Sequence, residues 1–147
     1  MYRRVLLCYD ASTEGRNALR EGAEIALAMK AETHLLAICR SVLGASVPEG
    51  VTPALLQCDQ DRAGAILSEG VEWLRTRGLE AHGTLVFGDP LHHIPDAARR
   101  IGADLIVVGH RRRTRLERWW SDSDEETLLD VCPCSILAAV ASAPTDR

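Results

Sequence analysis

Five short apolar runs divide the 147-residue chain, and the segments between them carry helical rather than strand periodicity. The runs are "RVLLCY" (4–9), "THLLAIC" (33–39), "LEAHGTLVFG" (79–88), "ADLIVVGH" (103–110) and "CSILAAV" (134–140). Each has the length of a strand, and most are too uniformly apolar to leave one face in water. After the first run, Ala18, Leu19, Gly22, Ile25, Ala26 and Met29 form one helical stripe, with Ser12 or Thr13 as the cap. Residues 41–50 carry Gly, Pro and Ser and read as a loop. Pro53 then opens a long helix to about Arg77, with Leu55, Leu56, Ala63, Ile66, Leu67, Val71 and Leu74 inward and Gly78 as its stop. "DPLHHIPDAARRIG" is a further helix, with Pro90 in its first turn, Gly102 past its end and Pro95 early enough to be tolerated, at the risk of shortening it. An acidic segment opens a last helix that runs to about Val131.

Five strands separated by four helical segments demand parallel strands joined by right-handed crossovers. The expected fold is α/β: a five-stranded parallel, doubly wound, Rossmann-like sheet with helices on both faces. One domain covers 1–141, and 142–147 is a short tail. Ligands of such sheets bind beyond the carboxyl ends of the strands, at Asp10, Ile38 to Arg40, Gly88 and Gly109 here.

The formal net charge of −4 gives no global basic field, so no nucleic-acid partner is expected. No apolar run has the length of a membrane span. The first run ends in Asp10 without a small-residue cleavage site, unlike a signal peptide. A cytoplasmic protein with no membrane partner is expected. Five cysteines are present, at 8, 39, 58, 132 and 134, an odd count that argues against a disulfide framework. "CPC" at 132–134 lacks the two-residue spacer of common zinc and redox motifs, so these thiols read as reduced and structural. His92, His93 and His110 lie near strand ends, but neighbours on a helix diverge by about 100°. No metal site is expected from them, and no nucleophile is placed to use His110 as a base.

"VLLCYDAS", "GDP", "GADLIVVG" and "CPCSILAAV" occur in an order and spacing that resemble the universal stress protein family over residues 3–140. The resemblance implies a homodimer whose last strands pair across the two-fold, placing Ser135, Ile136, Leu137 and Ala138 at the interface. An edge strand as apolar as "CSILAAV" argues the same way, because it invites pairing. The resemblance also implies nucleotide-site positions. Asp10 and Ala11 match the end of the first strand, near adenine and ribose, and Ile38 matches the second-strand position that borders adenine.

ATP-binding members resemble one another in a loop of Gly, two residues, Gly, nine residues, Gly, then Ser or Thr. Its glycines admit phosphate to backbone amides. Laid on this chain, the first glycine is Gly109 and the hydroxyl is Ser123, but the middle positions hold Arg112 and Asp122. A carboxylate about 4 Å from a phosphate charge costs on the order of 4 kcal/mol at an effective dielectric of 20. Asp122 with Glu125, or Ser123 with Glu126, has capping-box spacing, so the protein's own anions can take the amides a phosphate would use. Residues 109–126 hold five arginines and five acids and are neutral overall. The leading expectation is a stress-response or regulatory module that has lost ATP binding, needs no cofactor and is not an enzyme. The alternative is an ATP or AMP binder in which Arg111, Arg112, Arg113, Arg115 and Arg118 replace the glycine amides, with slow hydrolysis or self-phosphorylation on Ser121 or Ser123. A third reading is an anion or small-molecule sensor at the same strand ends. Trp119 and Trp120 cannot share one helix face, so one packs inward and the other covers the loop or meets a partner.

Overall fold

The computed structural model describes residues 1–39, 53–110 and 127–140. The expected loop at 41–50, Arg112, Ser123, the tryptophan pair and the acidic stretch 122–126 lie outside the described residues, as do the side chains of Leu55 and Leu56.

The described elements follow the alternation of the sequence. They are β1 (Arg4–Tyr9), α1 (Thr13–Ala18), α2 (Arg20–Met29), β2 (Glu32–Cys39), α3 (Pro53–Thr76), β3 (Ala81–Phe87), α4 (Pro90–Ile101), β4 (Leu105–His110), α5 (Leu128–Val131) and β5 (Ser135–Val140). The strands form one sheet in the order β3-β2-β1-β4-β5, parallel at every pairing. Strand order therefore reverses between β1 and β4, which is where a doubly wound sheet opens its crevice.

Two cores lie on the two faces of this sheet. Val5, Leu7 and Tyr9 of β1 join Leu35, Ala37 and Val107 under α2 and α3. Leu6 and Cys8 join Leu36, Ile38, Ile106 and Val108 under Ile94, Ala97 and Ala98 of α4. Alternate residues of β1 thus enter opposite cores, and all from Val5 to Tyr9 are at most 1% exposed. Double-sided burial is the physical reason that β1 and β4 read as unbroken apolar runs. β3 is different. It is an edge strand, and His82, Gly83, Thr84 and Phe87 are exposed.

The single helix expected after β1 is two helices. At Leu19 the amide donates to the Arg16 carbonyl at 3.0 Å, a tight i−3 step, and the α-helical ladder resumes when Ala23 donates to Leu19. The stripe survives the step: Ala18, Leu19, Gly22 and Ala26 are buried, while Ile25 and Met29 are half-buried. Pro95 does not shorten α4, which runs to Ile101 with Pro95 buried inside it. Asp89 caps its start by accepting from the Leu91 amide at 2.9 Å, and Gly102 ends it at φ 67°.

Gly22 is where α2 comes down onto the sheet. A Cβ there would stand 2.7 Å from Val107 Cγ1 and 3.0 Å from Leu7 Cδ2. Alanine gains about 1 kcal/mol of helix propensity, whereas overpacking a closed core costs about 1–3 kcal/mol. Both neighbours are fully buried and have nowhere to move, so the second effect wins. Gly22→Ala is expected to destabilise the protein by about 1–2 kcal/mol in urea unfolding, with an unchanged m-value.

Candidate functional site

The crevice begins where β1 ends. The Asp10 carboxylate accepts from the Ser12 amide at 3.2 Å and from the Ser12 hydroxyl. Ser12 Oγ in turn accepts from the Gly15 amide at 3.0 Å and so caps α1. Ala11 between them has φ 65°, a left-handed conformation that costs an L-residue about 1–2 kcal/mol. The turn holds Ala11 there through the Asp10–Ser12 bonds on either side of it. Asp10 therefore performs the turn-capping role open to it from sequence.

Gly109 faces this turn from the end of β4. A Cβ on it would lie 2.9 Å from the Gly15 carbonyl oxygen and 3.4 Å from Ala18 Cβ. Glycine at 109 lets α1 close over β4, whatever binds above. Ile38 is 1% exposed, with its side chain in the core beneath α4. The structure thus brings Asp10, Ala11 and Gly109 around the start of α1, while Ile38 is a core residue. Arg112 and Ser123 lie outside the described residues.

Two features of this neighbourhood escape sequence reading. Arg16 on α1 donates to the Ile66 carbonyl at 2.8 Å and to Glu69 Oε1 at 3.1 Å, tying α1 to α3. The Tyr9 hydroxyl is buried without a hydrogen-bond partner among the described residues. Burial raises its pKa well above the ordinary value, and the Arg16 charge opposes that shift only in part. A cavity of about 200 Å³ opens beside Arg16, lined by Leu7, Asn17, Leu35, Glu69 and Trp73 among others. It lies under α1–α3 rather than at the strand ends, and it is below the ~300–1,000 Å³ of ordinary ligand pockets.

Among the described residues, α5 is capped by its own carboxylate; the expected spacings, Asp122 with Glu125 and Ser123 with Glu126, lie outside them. Asp130 Oδ2 accepts from the Thr127 amide at 3.1 Å and from its hydroxyl at 3.0 Å, a capping box around α5. These bonds, backbone first, hold the Asp130 carboxyl below its usual range.

Of the three histidines near the strand ends, the structure describes the side chains of His92 and His93. His93 Nε2 donates to the Phe87 carbonyl at 3.0 Å and so pins the turn before α4. His92 meets it edge-on at 5.2 Å and is exposed, and the side chain of His110 lies outside the described residues. Cys8, Cys39, Cys132 and Cys134 form no disulfide among the described residues. Cys134 is half-buried rather than enclosed in the core. Burial, then the neighbouring Cys134, pushes Cys132 up to about 11. Burial likewise raises Cys134, with Asp104 adding to it, and raises Cys8 further. The raised pKa values favour the thiol, the less nucleophilic form.

The family model described as "Universal stress protein family" matches residues 1–139. The chain belongs to the universal stress protein family. Universal stress protein YxiE of Bacillus subtilis (strain 168) is 26% identical to it, over 93% of this chain and 99% of the relative. A crystal structure of a universal stress protein family member from Burkholderia pseudomallei superposes with a TM-score of 0.69 at 25% identity, covering 93% of this chain and 95% of the other. The universal stress protein of Archaeoglobus fulgidus in complex with dAMP shares the fold, with a TM-score of 0.61 at 20% identity over 93% and 97% of the two chains. The fold read from sequence, a five-stranded parallel sheet flanked by helices, is the fold of these proteins.

Gly109→Ala separates packing from ligand binding. It is expected to destabilise the ligand-free protein by about 1–3 kcal/mol in chemical denaturation, because a backbone oxygen cannot yield as a side-chain tip can. Alkylation tests the thiols. Brief iodoacetamide treatment of folded protein at pH 7.5 should leave Cys132 and Cys134 unlabelled by peptide mass spectrometry. Labelling of Cys132 should rise with pH toward about 11 as the thiolate forms.

Proposed function

We propose that this chain is a cytoplasmic, homodimeric universal stress protein that acts as a regulatory or interaction module, without ATP as a cofactor and without enzymatic turnover. One observation carries the reading. The motif glycine that the chain retains, Gly109, has a packing duty toward α1. The two motif positions whose glycines admit phosphate in binders hold Arg112 and Asp122 instead. Retention of Gly109 is therefore no sign of a phosphate site, and the substitutions count directly against one. The carboxylate cap at Thr127–Asp130 follows the same pattern, an internal anion satisfying amides at a helix start.

Dimerisation rests on β5. It pairs with β4 on one side. Ser135 and Ala138 are exposed on it, and Ile136 and Leu137 are half-buried. A bare apolar edge is an aggregation hazard that pairing with a second copy removes. Protein and nucleic-acid chemistry differ here: the net charge of −4 supports protein partners rather than nucleic acid.

The competing reading, nucleotide held by arginines, is favoured by the dAMP complex of the Archaeoglobus relative. Isothermal titration with ATP and magnesium decides between them. The wild-type chain is expected to show no micromolar binding, and Arg112→Gly with Asp122→Gly to gain it. Micromolar binding by the wild type that Arg112→Ala abolishes would overturn the proposal. Sedimentation should give a dimer, and Ala138→Arg should give a folded monomer by the same measurement with circular dichroism.

A further inference from the structure

The sequence repeats one short pattern, Glu32-Thr33-His34 and Glu80-Ala81-His82, and the fold sets the two copies side by side. β2 and β3 run parallel and pair Thr33 with Ala81 and His34 with His82. The Thr33 amide donates to the Glu80 carbonyl at 2.9 Å, which fixes Glu80 just ahead of β3 in the same register. Strand alternation puts the two glutamates and two histidines on one face, with Thr33 and Ala81 on the other. This patch sits at the amino ends of the strands, at the opposite end of the sheet from the Asp10–Gly109 crevice.

The side chains converge. His34 Nε2 is 2.9 Å from Glu32 Oε1, and His82 Nε2 is 3.5 Å from Glu80 Oε1. The two imidazoles lie 5.1 Å apart, tilted by 32°. One donor atom each of Glu32, Glu80 and His82 falls within 4.8 Å of the other two. Metal–ligand bonds of ~2.0–2.2 Å in a tetrahedron set donor atoms about 3.3–3.6 Å apart. The spacing in hand needs only small side-chain rotations to reach that. Arg4 approaches Glu32 at 3.6 Å, a cation already drawn to that carboxylate. His82 and Glu80 keep 50% and 72% of their side-chain exposure, so an ion has an open approach.

We propose that Glu32, Glu80 and His82 form a binding site for a divalent transition-metal ion, with His34 as a positioning residue that donates to Glu32. Mixed imidazole and carboxylate donors suit zinc, cobalt or nickel and are a poor match for calcium or magnesium, which take oxygen alone. His34 holds the Glu32 carboxylate in place, as outer partners of metal ligands commonly do. Three protein ligands leave a further coordination position for water or a partner's side chain.

The test is zinc titration of EDTA-treated, full-length protein by calorimetry, with cobalt as a spectroscopic probe of coordination. The background carries Cys132→Ser and Cys134→Ser to remove competing thiols. The expected result is one zinc ion per chain at micromolar free zinc. His82→Gln and Glu80→Gln should abolish it, and His34→Gln should weaken it by about 10–100-fold. Arg4→Ala should tighten it by removing the rival cation. Metal-free thermal melting of the His82 and Glu80 variants, both exposed positions, should match the parent. No binding at micromolar zinc, or binding that survives the His82→Gln, Glu80→Gln double variant, would overturn the assignment.

Discussion

Burial of the central strands on both faces is the constraint on which everything else in this molecule rests. β1 and β4 have no solvent side, so every residue from Val5 to Tyr9 answers to one core or the other. A chain with such strands must wrap helices over both faces, and right-handed crossovers then fix where the strand order reverses. The reversal of strand order between β1 and β4 is a product of that winding. The local chemistry there was then written by packing. Gly109 is bare because α1 needs the space, and Asp10 faces the turn because Ser12 and Ala11 require an anchor.

Much of this is legible in the sequence because burial leaves a periodic signature. The five runs give five strands, with the bounds of β1 unchanged and those of the others moved by one or two residues at most at either end. The break at Leu19 left no such mark. A single i−3 step keeps the apolar stripe intact, so the pattern reads as one helix. Pro95 sits as its early position allows: one missing amide near the start of a helix that buries Ile94 and Ala98 does not outweigh that burial.

The candidate site was less legible. Residue type shows that Gly109 is glycine, but only the distance to the Gly15 carbonyl shows why. Arg16 and the Glu-His pairs were invisible for a related reason. Each acts across elements, Arg16 from α1 to α3 and Glu32 beside Glu80 through a register that no single strand reveals. The recurrence of Glu-x-His was present in the letters, yet it acquires meaning only when two strands are laid in phase.

The two borders of the sheet are unlike one another. Along β3 the outer residues include a histidine, a threonine and a glycine, whereas β5 is almost wholly aliphatic. A self-association that uses only the second border is isologous: it consumes the same surface on both copies and leaves nothing to add to. Growth by that route would halt at two chains and would leave the polar border to solvent. Chain-end asymmetry of this kind is how a flat stack of strands avoids becoming the seed of a fibre.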